Sequence, residues 1–569
     1  MKSIFLFIFF IPLILTAQSA LNITGRISLR TLNNAYSEKS DIKPDSIAAD
    51  QYAKSSLVPG LEERMNVAIF ARTSKLDMTL LADVKNNAWD RLDRLQRVQR
   101  LSLSARFGRS EIVLGDFFES GSEFFVQSRE VRGARADLRF ARLWNRSSYL
   151  QTRFSGGLVQ KAYSVGDRLA GLYHQYENAG QYRRYFGSAI IRLADEQRFE
   201  LALKYLLARD DTASVDQAIN EPLSNQNMGA SGSLYLWDKR IQFFGEGYMS
   251  RKDTLSAQNI NDHAYKGGLD FRLKQFKLIV FYQRLGYDYY SAGYPFLQND
   301  RQGFKFTSAW NFPGTITLTA EGEQYKDNLN KDDTRPTTQT RLAEAGFTTH
   351  FKHWPEFTLK GRFRDDNSDT ILDTIKTEKI SRGLEAGLAY SFGNQRLSFS
   401  TFLIDLDDHS VLASGSPLGT RQLISSLNFY TRPAPSLFIS GGGVYSTLEL
   451  TNNQENKNIY AYLSGRWDLF KRKVKLEWSF NYIINDAENG GNQDLLSDYN
   501  QLGSEVSLEY FFNNSISLKL IGGNDRRVMG YTQQQALQVI ADPNYGPLFF
   551  NGYETYNSLK FGAEVNWIF

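Results

Sequence analysis

Val474-Lys-Leu-Glu-Trp-Ser-Phe-Asn-Tyr482 alternates without a break. Val474, Leu476, Trp478, Phe480 and Tyr482 fall on one face of an extended chain, and Lys475, Glu477, Ser479 and Asn481 on the other. Successive side chains of a strand point to opposite sides, so a period of two separates an apolar from a polar environment. The same pattern recurs far away. In Leu21 to Arg30, Leu21, Ile23, Gly25, Ile27 and Leu29 oppose Asn22, Thr24, Arg26, Ser28 and Arg30. Further on, Phe357, Leu359, Gly361 and Phe363 oppose Thr358, Lys360, Arg362 and Arg364.

Tight polar turns punctuate these segments. They centre on Ser74-Lys75, Arg109-Ser110, Asn145-Arg146, Glu196-Gln197, Lys239-Arg240, Lys274-Gln275, Pro313-Gly314, Trp354-Pro355, Asn394-Gln395, Ala434-Pro435, Arg472-Lys473 and Asn513-Asn514. Most lie roughly 40 residues apart, a spacing that signals a repeat. Between consecutive turns sit a strand, a longer polar loop and a second strand; the loops include 35–60, 210–225, 365–379 and 526–557. Twelve turns plus the two ends make thirteen hairpins, hence about 26 strands with short turns on one side and long loops on the other. A propeller also repeats at this length, but its blades need four short strands where these segments carry two long ones. The predicted fold is all-β: a single transmembrane antiparallel up-and-down β-barrel.

Composition agrees. Aromatic residues make up 14% of the chain, with 30 Tyr and 40 Phe against 13 Pro, which suits strands. Lys2 followed by the apolar run Ile4 to Leu15, with Ala17 or Ala20 as cleavage point, reads as a signal peptide over 1–20, leaving the barrel as 21–569. Beyond it no apolar run is long enough for a membrane helix. There is no cysteine, which excludes disulfides, thiolate chemistry and Cys-ligated metals. With 66 basic and 62 acidic residues, the charge is too even to imply nucleic acid as a partner. Trp144, Trp237, Trp310, Trp354, Trp467, Trp478 and Trp567 lie near short turns or the C-terminus, and only Trp89 on the long-loop side. That bias fits an aromatic girdle at one membrane interface.

In the final strand, Ser558-Leu-Lys-Phe-Gly-Ala-Glu-Val-Asn-Trp-Ile-Phe569, an apolar face of Leu559, Phe561, Ala563, Val565, Trp567 and Phe569 ends on an aromatic residue. It resembles the β-signal of Gram-negative outer-membrane proteins, with Lys560, Gly562, Val565, Trp567 and Phe569 at the matching places. The resemblance implies the cell outer membrane as location, and its lipids and the barrel-assembly machinery as partners. A weaker resemblance lies at 114–140. Gly115-Asp116 and Arg132-Gly133 look like a strand pair of fimbrial ushers, although the chain leaves no room for the usher plug and soluble domains. TonB-dependent receptors and lipopolysaccharide-inserting barrels are similar in size but carry a plug or periplasmic domain, for which no segment is expected here.

Charges at the lipid face near the midplane cost a few kcal/mol each, so the polar face should line the lumen. Candidate pore-lining residues are Arg26, Arg30, Arg72, Arg100, Arg106, Arg135, Arg139, Lys360, Arg362 and Arg364. Asp77, Asp83, Lys85, Asp137, Glu200, Lys204, Glu385, Arg466, Asp468, Lys475, Glu477, Glu505, Glu509, Lys519 and Glu564 share that face. The wall is either a conduit favouring anions or a cross-strand salt-bridge lattice that stiffens it. No catalytic or cofactor constellation stands out. His174, His263 and His409 are expected in long loops, and His350 and His353 on opposite faces beside a turn, so neither enzyme activity nor metal binding is expected. The expected function is a channel or porin-like transporter for polar solutes or exported polymer. The alternative is a surface-display or assembly scaffold holding partner proteins. So wide a barrel needs a filler, either inward-folded loops or a separate protein plug. The aromatic loop at 526–557 is the favoured candidate.

Overall fold

The computed structural model describes residues 22–39, 60–87, 98–162, 180–216, 218, 220–257, 259–369, 376–410, 418–450, 454–489, 492–493, 498–530 and 555–569. The proposed signal peptide, Trp89, His174 and most of the 526–557 loop lie outside the described residues.

Twenty-six long strands form one antiparallel sheet that closes on itself. Each strand pairs with its neighbour in sequence, and closure comes from Asn22–Lys39 pairing with Thr555–Ile568. Closing the sheet removes edges that hydrocarbon could not hydrogen-bond. Strands run from 10 residues, as in Val98–Phe107, to 18, as in Asn22–Lys39. About 9–11 tilted residues suffice to cross the hydrocarbon layer, so the longer strands project beyond it.

All twelve short turns predicted from sequence join consecutive strands. Gly314 shows why the turn chemistry matters: its φ of +71° lies in the left-handed region, where a Cβ costs energy. The seam carries an unusual contact. The Gly25 amide donates to the Phe569 carbonyl at 2.8 Å, and the Phe569 amide to the Gly25 carbonyl at 3.1 Å. The Phe569 ring lies over Gly25, where an added Cβ would stand 2.8 Å from Cζ. The aromatic terminus therefore needs a glycine across the seam.

Three histidines sit elsewhere than expected. His263 belongs to the Ile260–Arg272 strand, stacked on Tyr265, because that strand runs further outward than the hydropathy pattern implies. His350 and His353 both lie in the turn between strands, so strand alternation does not apply to them.

Candidate functional site: the barrel lumen

One parity of the wall is apolar and exposed. Leu201, Leu203 and Leu207 alternate with Ala202, Lys204 and Leu206; Leu203 is 64% exposed and Leu206 has no exposure. The same face carries Phe243, Phe304, Leu384, Leu463, Phe480, Leu520 and Phe561, all exposed. Trp237 and Trp354 crown it at the short-turn end, at 71% and 74% exposure, with Trp144, Trp310, Trp467 and Trp567 also exposed there. An apolar outer face bounded by an aromatic girdle on a closed polar-lined barrel has one physical environment. The protein is a transmembrane β-barrel of the Gram-negative outer membrane.

The opposite face holds the candidate lumen residues, and ladder register places them side by side. Arg26 donates to Asn566 Oδ1 at 2.6 and 3.1 Å and lies 3.5 Å from Glu564. Arg30 stands in register with Arg64 and Glu564. Arg72 pairs with Asp77 at 2.8 Å, and Arg100 faces Asp83, which binds Arg64 at 2.5 Å. Arg106 and Arg135 share Glu111 at 3.0 and 2.7 Å. Arg139 binds Glu196 and stacks 3.6 Å over Tyr149. Lys360 meets Glu385 at 3.3 Å, Arg362 faces Glu344, and Arg364 binds Asp366 at 2.8 Å. Farther round, Asp137 takes Arg153, Glu200 takes Arg192, and Lys475 and Lys519 share Glu477. Lys85 pairs with Glu62, Arg466 with Asp468, Lys475 with Glu509, and Glu505 with Lys560. These contacts form the lattice alternative of the sequence reading. Most of the arginine charge is balanced across strands. Partly exposed pairs of this kind contribute about 0–1 kcal/mol each, and more as a network.

The Gly115-Asp116 and Arg132-Gly133 segments are adjacent in space. Gly115 faces Gly133, and Asp116 faces Arg132. Arg132 grips Asp116 at 2.5 and 3.1 Å, while the Leu101 amide donates to the same carboxylate at 2.7 Å. Both charged residues fall on the parity of Leu114 and Phe118, the apolar side. They complete the wall where the Val98–Phe107 strand stops pairing with Ser110–Glu119. Gly115 is obligatory there: its φ is +97°, and a Cβ would lie 1.9 Å from the Leu101 carbonyl oxygen.

The sequence reading missed the lumen filler that the described residues show. Residues 120–128, Ser-Gly-Ser-Glu-Phe-Phe-Val-Gln-Ser, join Ser110–Glu119 to Arg129–Ala141. Phe124, Phe125 and Val126 have no solvent exposure. They pack in one cluster with Val113, Phe117, Val131, Phe186, Ile190 and Leu206, all on the lumen parity. Phe125 stacks on Tyr248 with centroids 5.9 Å apart, and Phe124 meets the same ring edge-on at 6.4 Å. This loop therefore folds inward.

A second loop, residues 286–300, locks it. Val126 bridges Gly293, Tyr289 Oη donates to the Phe124 carbonyl at 2.6 Å, and Ser291 Oγ to the Phe125 carbonyl at 2.5 Å. Asn225 holds this second loop to the wall: its Nδ2 donates to the Tyr290 carbonyl at 3.2 Å, and its Oδ1 accepts from the Ala292 amide at 2.9 Å. Beneath both loops, Tyr248 Oη accepts from the buried Lys204 at 2.7 Å, lies 2.7 Å from Ser122 Oγ and donates to Glu246 at 2.9 Å. A buried ammonium needs such partners. Glu123 reaches Lys266 at 3.3 Å and Arg301 at 3.8 Å. The signal for this plug was present as an apolar tripeptide at 124–126 and a tyrosine cluster at 287–294, both within polar loops. Residues 531–554, which hold most of the loop favoured as filler, lie outside the described residues.

No protein-family model and no curated protein matches the sequence. Among solved structures the chain is similar to the copper transporter OprC, at 10% identity and TM-score 0.43, covering 97% of this chain and 80% of that one. It is also similar to the siderophore receptor PirA from Pseudomonas aeruginosa, at 9% identity and TM-score 0.42, covering 96% and 80%. The outer membrane protein OpdK from Pseudomonas aeruginosa aligns at 10% identity and TM-score 0.27, over 65% of this chain and 99% of that one. Scores and identities this low give no residue-level correspondence.

Proposed function

We propose that the protein is an outer-membrane channel for polar solutes, constricted by its own loops 120–128 and 286–300. The observation that carries the reading is the unequal lining of the lumen. One sector is filled by the two docked loops. Across from it the wall keeps charged side chains open to solvent, with Lys360 and Glu385 each 40% exposed. Water-filled space beside an ordered constriction is what a solute pathway needs. The scaffold alternative gains nothing from a polar wall left open to water.

Single-channel recording in planar bilayers tests this. The wild type should conduct, and removing residues 122–127 should raise conductance without loss of the heat-modifiable folded form. A folded wild-type barrel that passes no ions under any applied voltage would overturn the channel reading.

A further inference from the structure

The charges on the lumen wall are largely spent on one another. Selectivity must then come from groups that remain free to meet a solute. Among the described residues of the wall between 418 and 529 these groups include aromatic rings and the Asn481 amide. Tyr430 and Phe438 lie near a short turn with ring centroids 4.9 Å apart. Higher on the same wall Tyr460 and Tyr462 stack at 5.8 Å with 23° between planes. All four are on the lumen parity, by register with Ser440, Val444, Gly442 and Arg466.

Ladder register sets a row of small and polar groups beside Tyr462. Gly442 lies on one side of it, and Asn481, Gly503, Asp525 and Ser558 follow in order on the other. Glycine leaves the floor flat: the Asn481 amide lies across Gly503, where a Cβ would stand 2.0 Å from its Oδ1. A shallow cavity of about 350 Å³ lies here, lined by Tyr460, Tyr462, Asn481, Gln501 and Asp525. It shares Ser464 and Ser479 with a larger one of about 750 Å³ that reaches Tyr430 and Phe438. Arg432, which donates to the Pro435 carbonyl, and Arg472 line the larger cavity at its short-turn end without an ion pair among the described residues, and the other charges are engaged. Lys560 binds Glu505, Lys519 binds Glu477, and Arg527 donates to Gln501 Oε1 at 2.6 and 2.9 Å.

We propose that this wall is a binding track for neutral oligosaccharides. A pyranose ring has apolar C–H faces and an edge of hydroxyls that both donate and accept. Tyrosine rings meet the faces, while the Asn481 amide and the Ser479 hydroxyl, which also donate and accept, meet the edges. Ring pairs at two successive heights suit a chain of sugar units better than a single small solute. Beside Tyr460 and Tyr462 an anion would find only Lys560, already bound to Glu505, and an apolar solute would leave the Asn481 amide unsatisfied. The proposal rests on the channel reading, since it names the solute class.

Calorimetric titration of the folded full-length protein in detergent micelles tests it, with maltohexaose, cellohexaose and laminarihexaose as probes and citrate as the anionic control. At least one neutral hexasaccharide should bind and citrate should not. Tyr460→Ala and Tyr462→Ala should each weaken binding about tenfold, the factor that corresponds to 1.4 kcal/mol. Tyr462→Phe, which keeps the ring, should retain most of the affinity and guards against misfolding of the alanine variants. If none of the three sugars binds, if citrate binds better, or if the folded alanine variants bind unchanged, the proposal fails. Conductance without sugar binding refutes this inference alone. Sugar binding without conductance refutes the channel reading alone.

Discussion

Phe124→Ala should release the inward loop without unfolding the barrel. Phe124 has no exposure and sits in the cluster with Tyr248 and Phe125. Its main-chain carbonyl keeps the bond from Tyr289, so the substitution removes packing alone. Truncating a buried phenylalanine costs about 3–5 kcal/mol. Taking the lower figure of about 3 kcal/mol, the undocked population rises roughly a hundredfold. The barrel ladders do not depend on this side chain, so the loss falls on docking rather than on global stability. The chain has no cysteine, so a single probe needs no background removal. Val126→Cys places a thiol where exposure is nil. Its reaction with a membrane-impermeant maleimide should be slow in the otherwise native protein and roughly a hundredfold faster with Phe124→Ala, when labelling tracks the open population. Heat-modifiability on gels should stay normal in both. Equal labelling rates in two folded proteins would mean that the phenylalanine does not hold the loop, and the constriction argument would fall with it.

Other outcomes can be checked separately. Deleting Phe569, or Gly25→Val, should lower the yield of folded barrel in outer-membrane fractions, because each disrupts the seam contact and the deletion also removes the end of the proposed β-signal. Gly115→Ala should destabilise the barrel by roughly 1–3 kcal/mol or more, since strain at an unfavourable φ adds to the clash with Leu101; thermal loss of heat-modifiability reads it. A cysteine placed by Lys239→Cys should resist impermeant reagents on intact cells and react after permeabilisation, which puts short turns at the periplasm; labelling on intact cells would invert the orientation. Burial, with Asp262 beside it, holds the Asp288 carboxyl above the ordinary aspartate range; Asp300 reinforces this and Lys252 opposes it. A raised carboxyl favours the docked loop when protonated, so docking should tighten as the pH falls through that raised value and slacken above it. Lower current noise at acid pH, abolished by Asp288→Asn, is the expected reading.

The barrel was legible because a membrane wall imposes one rule on every strand. Residues such as Leu201 and Lys204 must point to different solvents, and that requirement writes itself into the sequence as period two. Turns such as Pro313-Gly314 mark the hairpins, so the strand number follows from counting. The plug was not legible in the same way. Phe124, Phe125 and Val126 have no period, and nothing local says that their partners are Leu206 and Tyr248, far along the chain. The wall residues beneath them, such as Phe117 and Ile190, break the polar lumen pattern, and that irregularity is the trace a filler leaves. Asp116 and Arg132 show the opposite limit. The lipid-cost argument places charge inward, yet mutual pairing and a bond from the Leu101 amide keep both on the outer parity.

The seam between Gly25 and Phe569 has a kinetic consequence. Among the described residues every other ladder of the barrel joins strands that follow one another in sequence. Those hairpins close small loops and can zip one after another on a microsecond scale each. The closing ladder instead links positions such as Arg26 and Asn566, 540 residues apart. Its loop entropy must be met before any of its hydrogen bonds form. Until then two strand edges stand unpaired in a medium that cannot solvate them. Circularisation thus carries the largest loop-closure cost of any ladder in the barrel. The state just before it, a curled sheet open along one line, is the species that an insertion catalyst would have to hold.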